Sequence, residues 1–265
     1  MMRTVFSLTD FPFLKDVKEI YRSKDLNYLW ERLSHCLETQ GIVLLTGEIG
    51  SGKTTACQSF LASINPNTFR PIYLSSNMRS PRGFFQNLVS EMGLLPKFFV
   101  EDLIIQAKNH FSEIFIKQGL LPILVIDEAQ NLSDTILEDI RLLTNFRMDS
   151  RSMLTIFLLA HPVLKARLKL SAYAAFRRRV SFAYHLIGFT LDEAHHYMAH
   201  RLKAAGSTTP LFTEDAIRLI FNYSKGLPGL INPLAHEALY LGALNKASSI
   251  EASLIEQIIK ERDWF

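Results

Sequence analysis

The chain holds only two cysteines, Cys36 and Cys57, in 265 residues. Both stand in apolar helical contexts without CxxC spacing. This excludes a disulfide framework or a zinc site of that kind and leaves two buried thiols as the expectation. Long apolar runs are missing too. None approaches the roughly 20 residues needed to span a bilayer, and the start, Met1-Met2-Arg3-Thr4-Val5-Phe6, lacks a signal-peptide apolar region with a small-residue cleavage site. A cytoplasmic protein without a membrane partner is expected. The formal net charge is only +3. That is too little to indicate nucleic acid by itself, because DNA-binding proteins concentrate a stronger basic field on one face. No internal repeat, low-complexity tract or long linker is evident. What is plentiful is apolar residues, 48% of the total, enough to bury a full α/β core and one smaller domain.

Apolar runs bounded by turn residues alternate with longer helical patterns, as in a parallel sheet with crossover helices. The expected strands are Gly41 to Thr46, Arg70 to Leu74, Leu121 to Ile126 and Leu154 to Leu159, with Tyr184-His185-Leu186 as a short fifth. Their successive residues are apolar, as in strands covered on both faces. After Gly188 only helices are expected. Leu191 to Ala205 is capped by Thr190 with Glu193 completing a capping box, and Thr213 to Lys225 is closed by Gly226. Leu230 to Asn245 and Glu251 to Arg262 follow. The division is 1–188 for an α/β nucleotide-binding core and 189–265 for a helical domain.

Gly47-Glu48-Ile49-Gly50-Ser51-Gly52-Lys53-Thr54 satisfies the phosphate-binding pattern GxxxxGK(S/T) directly after the first strand and before a helix beginning Thr54-Thr55-Ala56. Glycines let backbone N–H groups converge on phosphates, and the helix N-terminus adds partial positive charge. Lys53 is expected on the β and γ phosphates of ATP and the Thr54 hydroxyl on Mg²⁺, with Gly47 to Thr55 as the cradle. The third strand delivers Asp127 and Glu128 at its carboxyl end, where ligands bind in open α/β sheets. Asp127 is read as holding the metal through water, and Glu128 as orienting and polarising the attacking water, since phosphoryl transfer needs positioning and charge stabilisation. The fourth strand ends at Ala160-His161-Pro162. This makes His161 a candidate γ-phosphate sensor, with a helix-capping or solvated histidine as the alternative.

From Leu164 to Tyr184 the chain carries Lys165, Arg167, Lys169, Arg177, Arg178 and Arg179 and no acidic residue. Such a run is ordinarily a solvated face. At the edge of an ATPase core it is also where a ring-forming enzyme places an arginine into its neighbour's nucleotide; one of Arg177, Arg178 and Arg179 is expected there, Arg179 by preference. Arg79 and Arg82, after the second strand, suit sequence-independent phosphate contacts with DNA, as do Lys165 and Arg167; a solvated turn is the alternative for the first pair. The Trp264-Phe265 end is a candidate docking tail. Two patterns are declined: His195, His196 and His200 offer no third metal ligand of clear geometry, and His236-Glu237-Ala238-Leu239-Tyr240 misses HExxH by its last residue.

With these motifs the sequence resembles the ExeA-like AAA+ ATPases, in the same broad group as the transposition ATPases TnsC, TniB and MuB. The resemblance runs along nearly the whole chain. It is carried by Phe11-Pro12-Phe13, Leu44-Leu45-Thr46-Gly47-Glu48, Val125 through Leu132, Leu137 to Asn145, Gly226-Leu227-Pro228 and Leu230-Ile231-Asn232. It implies an AAA+ core with a helical lid, ATP-dependent oligomerisation and an arginine finger at Arg179. Two departures stand out: Gly229 followed by Leu230 where relatives often carry the sensor 2 arginine, implying slow hydrolysis or a nucleotide-controlled assembly switch, and His161 where they often carry glutamine. ExeA-type secretion proteins continue into a membrane span and a peptidoglycan-binding region. Stand-alone transposition ATPases of about this size assemble on double-stranded DNA with ATP and recruit a transposase. The length therefore favours a transposition regulator, with a secretion or envelope-assembly ATPase, or another partnered AAA+ switch, as alternatives.

Overall fold

The computed structural model describes residues 2–14, 19–75, 80–144 and 152–262. Five strands, β1 (Gly41–Gly47), β2 (Phe69–Ser75), β3 (Leu121–Asp127), β4 (Thr155–Ala160) and β5 (Val180–Leu186), form one sheet in the order β2-β3-β4-β1-β5. All neighbouring pairs are parallel. The crossovers are helical: α3 (Lys53–Ser63) follows β1, α4 (Pro81–Glu91) and α5 (Val100–Ile116) follow β2, α6 (Asp134–Leu143) follows β3, and α7 (Pro162–Leu168) with α8 (Ala174–Arg177) follows β4. α1 (Met2–Val5) and α2 (Lys24–Thr39) precede β1, and α9 (Leu191–Ala204), α10 (Glu214–Ser224), α11 (Pro228–Leu244) and α12 (Ala252–Arg262) complete the chain. This is the expected α/β class.

Every residue of β3 and β4 is buried, as the unbroken apolar runs require of strands covered on both faces. β5 differs from expectation: it starts at Val180, ahead of Tyr184. The reason is its edge position. Only Phe182 and Leu186 are buried in it, so polar and small residues break the apolar run on which a sequence-based strand rests. The core of this unit packs Ile42, Leu44, Leu124, Ile126, Ile156 and Leu158 of the sheet against Phe84 and Phe85 of α4, Phe111 of α5 and Ile140 of α6.

By contacts the chain forms two compact units, Asp25–Glu48 with Lys53–Leu186, and Met1–Lys24 with Ile49–Gly52 and Ile187–Phe265. A linear division at 188/189 therefore separates the first residues from the helices they pack with. Met2, Phe6, Leu8 and Phe13 are buried in one cluster with Tyr197, Leu202, Ile220, Leu234, Leu239 and Ile258, and fully burying such a side chain stabilises by about 1.5–3 kcal/mol. Arg201 of α9 is 5% exposed. Its guanidinium donates to the carbonyls of Pro12 at 2.5 Å and Leu14 at 2.7 Å, and Thr9 N–H donates to Ala205 O at 2.8 Å. A buried charge is tolerable only with such partners, so Arg201 fixes the path of the leading segment.

The capping box of α9 forms as expected, with the Thr190 and Glu193 side chains each bonded to the other's backbone N–H. α10 ends at Ser224, one residue sooner than expected; its C-cap Lys225 is in the left-handed region, and Gly226 follows at φ +75. A Cβ on Gly226 would lie 2.0 Å from Phe189 O, and Phe189 N–H donates to Gly226 O at 2.8 Å. Gly226→Ala is thus expected to add a steric overlap to the left-handed penalty. The destabilisation should be about 3 kcal/mol or more, read as a Tm lower by about 6–12 °C in thermal unfolding followed by circular dichroism. A Tm within a degree or two of the parent would show that this turn rebuilds freely.

Candidate nucleotide site

β1 and β3 lie on either side of β4, so the residues after Gly47, Asp127 and Ala160 issue from the carboxyl ends of three adjacent strands. This is where open parallel sheets hold ligands. α3 begins at Lys53, which places Lys53, Thr54 and Thr55 in its first turn. Lys53 Nζ donates to Gly47 O at 2.8 Å and Glu48 O at 3.0 Å, so the ammonium is folded onto the carbonyls of its own loop. Burial lowers its pKa from the ordinary lysine value, against the opposing pull of Glu128, Asp127 and Glu48.

Thr54 Oγ1 donates to Asp127 Oδ2 at 2.7 Å, and Tyr73 of β2 donates to the same oxygen at 2.9 Å. Asp127 Oδ1 accepts from Glu128 N at 2.8 Å. A 5% exposed carboxylate is in this way fully hydrogen-bonded. Burial first, and then the Asp127 carboxylate, push the Tyr73 phenol up to about 12. The neighbouring Cys57 thiol is likewise pushed up to about 12, chiefly by burial; both cysteines are buried, as expected. A hydroxyl and a carboxylate this close form a hard-oxygen pair of the kind Mg²⁺ prefers, so the residues present fit that ion.

Glu128 has left-handed backbone, φ 54 and ψ 36, which is strained for a residue with a Cβ and is found disproportionately at active sites. Its Oε2 accepts from Gln130 Nε2 at 2.5 Å, and Gln130 Oε1 accepts from the backbone N–H of His161 at 2.9 Å. His161 is the N-cap residue of α7, but its side chain makes no capping bond. Its Nε2 instead lies 3.1 Å from Glu48 Oε2.

The loop tip Ile49–Gly52 groups with the helical unit. Gly229 N–H donates to Gly50 O at 2.8 Å, and a Cβ on Gly229 would meet Gly50 Cα at 2.5 Å. Gly229 is therefore a close-approach glycine with no room for an arginine. Ser51 Oγ is buried without a hydrogen-bond partner among the described residues, a polar atom left for a ligand to satisfy. Gly50 and Gly52 have φ of +83 and +91, and a Cβ on Gly52 would meet nothing within 4 Å, so the tip is open there.

The basic segment is not uniform. Arg177 Nη1 donates to the carbonyls of Leu168, Lys169 and Leu170 at 2.8, 2.5 and 3.0 Å, closing the end of α7, and this commits it to the fold. Arg178 is exposed and Arg179 half-buried immediately before β5. The Arg167 guanidinium bonds Tyr173 Oη at 3.0 Å, Leu132 O at 2.7 Å and the Asp134 carboxylate, so its donors are engaged within the fold. Lys165 and Arg82 are exposed, Arg82 lying 4.2 Å over the Phe98 ring. Arg79 and Trp264-Phe265 lie outside the described residues. Tyr73 and Gln130 are site residues that the sequence reading missed as such. The only signal for either was a polar group on a strand beside, or two residues beyond, the acidic pair.

Among the described residues no helix is long and apolar enough to cross a membrane. General secretion pathway protein A of Aeromonas hydrophila is 30% identical over 249 residues, which cover 90% of this chain and 44% of that protein; the chain spans less than half of that relative's length. Two solved structures share the fold at low identity. The ORC2 protein of Aeropyrum pernix in its ADPNP-ADP complexes has a TM-score of 0.69 at 15% identity, covering 94% of this chain and 71% of that one. The Aeropyrum pernix ORC1 protein in complex with DNA has a TM-score of 0.67 at 14% identity, covering 95% and 68%. Residues 35–168, half of the chain, match the family model described as an AAA domain, and the chain accordingly belongs to the AAA family and is a nucleotide-binding ATPase.

Proposed function

We propose that this ATPase is a nucleotide-controlled assembly switch that oligomerises on double-stranded DNA with ATP and regulates transposition by recruiting a transposase. The observation that carries the chemistry is the convergence of Lys53, Thr54, Asp127 and Glu128 at the carboxyl ends of β1 and β3. Backbone N–H groups of Gly47 through Thr55 and the start of α3 receive the phosphates. Lys53 exchanges two loop carbonyls for phosphate oxygens. Thr54 and Asp127 would hold Mg²⁺, which when bound would neutralise phosphate charge. Glu128 polarises the attacking water, His161 senses the γ-phosphate from the tip of β4, and Arg179 of a neighbouring copy completes the site.

The DNA reading is supported by exposed Lys165, Arg178 and Arg82 and by a protein of the same fold solved with DNA. The natural location is then the cytoplasm. A second reading, a secretion or envelope-assembly ATPase with a protein partner, is favoured by the Aeromonas hydrophila relative. Fluorescence anisotropy with duplex DNA at physiological salt separates them, comparing no nucleotide, ADP, ATP, and a Glu128→Gln variant with ATP. Binding that requires ATP and persists in the variant is the expected result, with an affinity that falls as salt rises. Absence of binding in every state would sink the DNA reading and leave the protein-partnered one.

A further inference from the structure

Gln130 sits in the single turn Ala129–Asn131, two residues after Glu128, and is half-buried. Its carboxamide is used at both ends, on Glu128 Oε2 at 2.5 Å and on the His161 backbone N–H at 2.9 Å. The orientation of a carboxamide is normally an assignment, but here chemistry fixes it. A backbone N–H can only donate, so the amide oxygen must face His161 and the amide nitrogen must face Glu128. The donor delivered to Glu128 is thereby set by β4 and not by the flexible glutamate itself. A hydrogen bond to a carboxylate is roughly twice as strong as one between neutral groups. It occupies one carboxylate oxygen and leaves the other for a water.

The backbone under this pair is constrained as well. Glu128 is held left-handed with its N–H on Asp127 Oδ1, so little freedom remains to the glutamate beyond its side-chain torsions. Gln130 removes much of that freedom. On the far side, His161 Nε2 meets Glu48 of the phosphate loop, and one connected path runs Glu48, His161, Gln130, Glu128.

We propose that Gln130 is a positioning residue: it aims the Glu128 carboxylate at the attacking water and ties that aim to the tip of β4, much as a third group orients the base in a nucleophile–base pair. The proposal rests on Glu128 being the water-polarising base. Gln130→Glu keeps the size of the side chain and its acceptor for His161 N–H but turns an oxygen on the Glu128 carboxylate. Gln130→Ala removes both bonds.

Steady-state ATPase rates, nucleotide affinity by titration and Tm test this for Gln130→Ala, Gln130→Glu, Glu128→Gln and the Gln130→Ala/Glu128→Gln double variant. Misplacing a reacting group costs up to about 100-fold, so kcat for both Gln130 variants is expected to drop by about 10- to 100-fold, with ATP affinity held within about twofold. The double variant should be no slower than Glu128→Gln alone, because an aim is worthless without the base. If Gln130→Ala does not fold, Gln130→Glu carries the test. The proposal is overturned if the folded Gln130 variants keep the parent kcat while Glu128→Gln is inactive, if the two losses multiply in the double variant, or if lost ATP affinity or Tm accounts for the change. A Glu128→Gln variant with the parent rate would instead refute the assignment of the base, and this proposal with it.

Discussion

Glu128→Gln is expected to lower ATP hydrolysis by about 10²- to 10³-fold while ATP binding survives, the loss expected if Glu128 is the positioned base of a proton-transfer step. The substitution preserves volume and leaves a side-chain oxygen able to accept from Gln130, so the 2.5 Å contact has a successor. What disappears is the negative charge that draws a proton from water as the oxygen attacks. Binding should be kept, because the groups proposed to receive the phosphates lie elsewhere, in the backbone of the loop, the start of α3 and Lys53. The substitution also reaches Lys53: Glu128 is the largest of the charges opposing the downward push of burial on its ammonium. The result should be read in a single-turnover assay alongside the steady state, since product release limits many ATPases. A chemical step within about tenfold of the parent would remove Glu128 from the role of base.

How much of this was legible in the sequence depends on the range of the interaction. The proposed phosphate loop is one contiguous stretch between β1 and α3, so the Gly47 through Thr54 pattern is visible without tertiary information. β3 and β4 are equally plain, because burial on both faces demands unbroken apolar runs. Failures occur where a side chain's role is decided by a distant partner. Arg167 and Arg177 read as surface charge in a run free of acids, yet Asp134 and Leu132 supply partners to one and the carbonyls ending α7 to the other. Arg201 looks like an ordinary helix arginine until Pro12 and Leu14 arrive at its guanidinium, and with it the whole leading segment joins the helical unit. Tyr73 shares the oxygen of Asp127 with Thr54 only because β2 lies beside β3. Gly229 is the reverse case. The missing side chain is visible in the sequence, but its cause, the approach of Gly50, is not.

Arg179→Ala is expected to abolish the part of ATP hydrolysis that depends on assembly, a loss of about 10³-fold or more if this arginine serves a neighbour's nucleotide. For the parent, the rate per subunit should rise with protein concentration as copies associate; for the variant it should stay flat. Arg177→Ala is the internal contrast. Its guanidinium is committed to three carbonyls, so its loss should appear as a lower Tm. Mixing gives the decisive reading. Arg179→Ala subunits retain Glu128, and Glu128→Gln subunits retain Arg179, so each preparation alone is inactive. In a head-to-tail assembly of equal amounts, about a quarter of the interfaces join an intact Glu128 site to a neighbour's intact Arg179. Activity should therefore return on mixing, in proportion to those interfaces. If the mixture stays as inactive as its parts while sedimentation shows that the subunits have co-assembled, Arg179 acts within its own subunit. Hydrolysis would then not be conditional on a neighbour's arginine, and assembly would have to control the ATPase by another route.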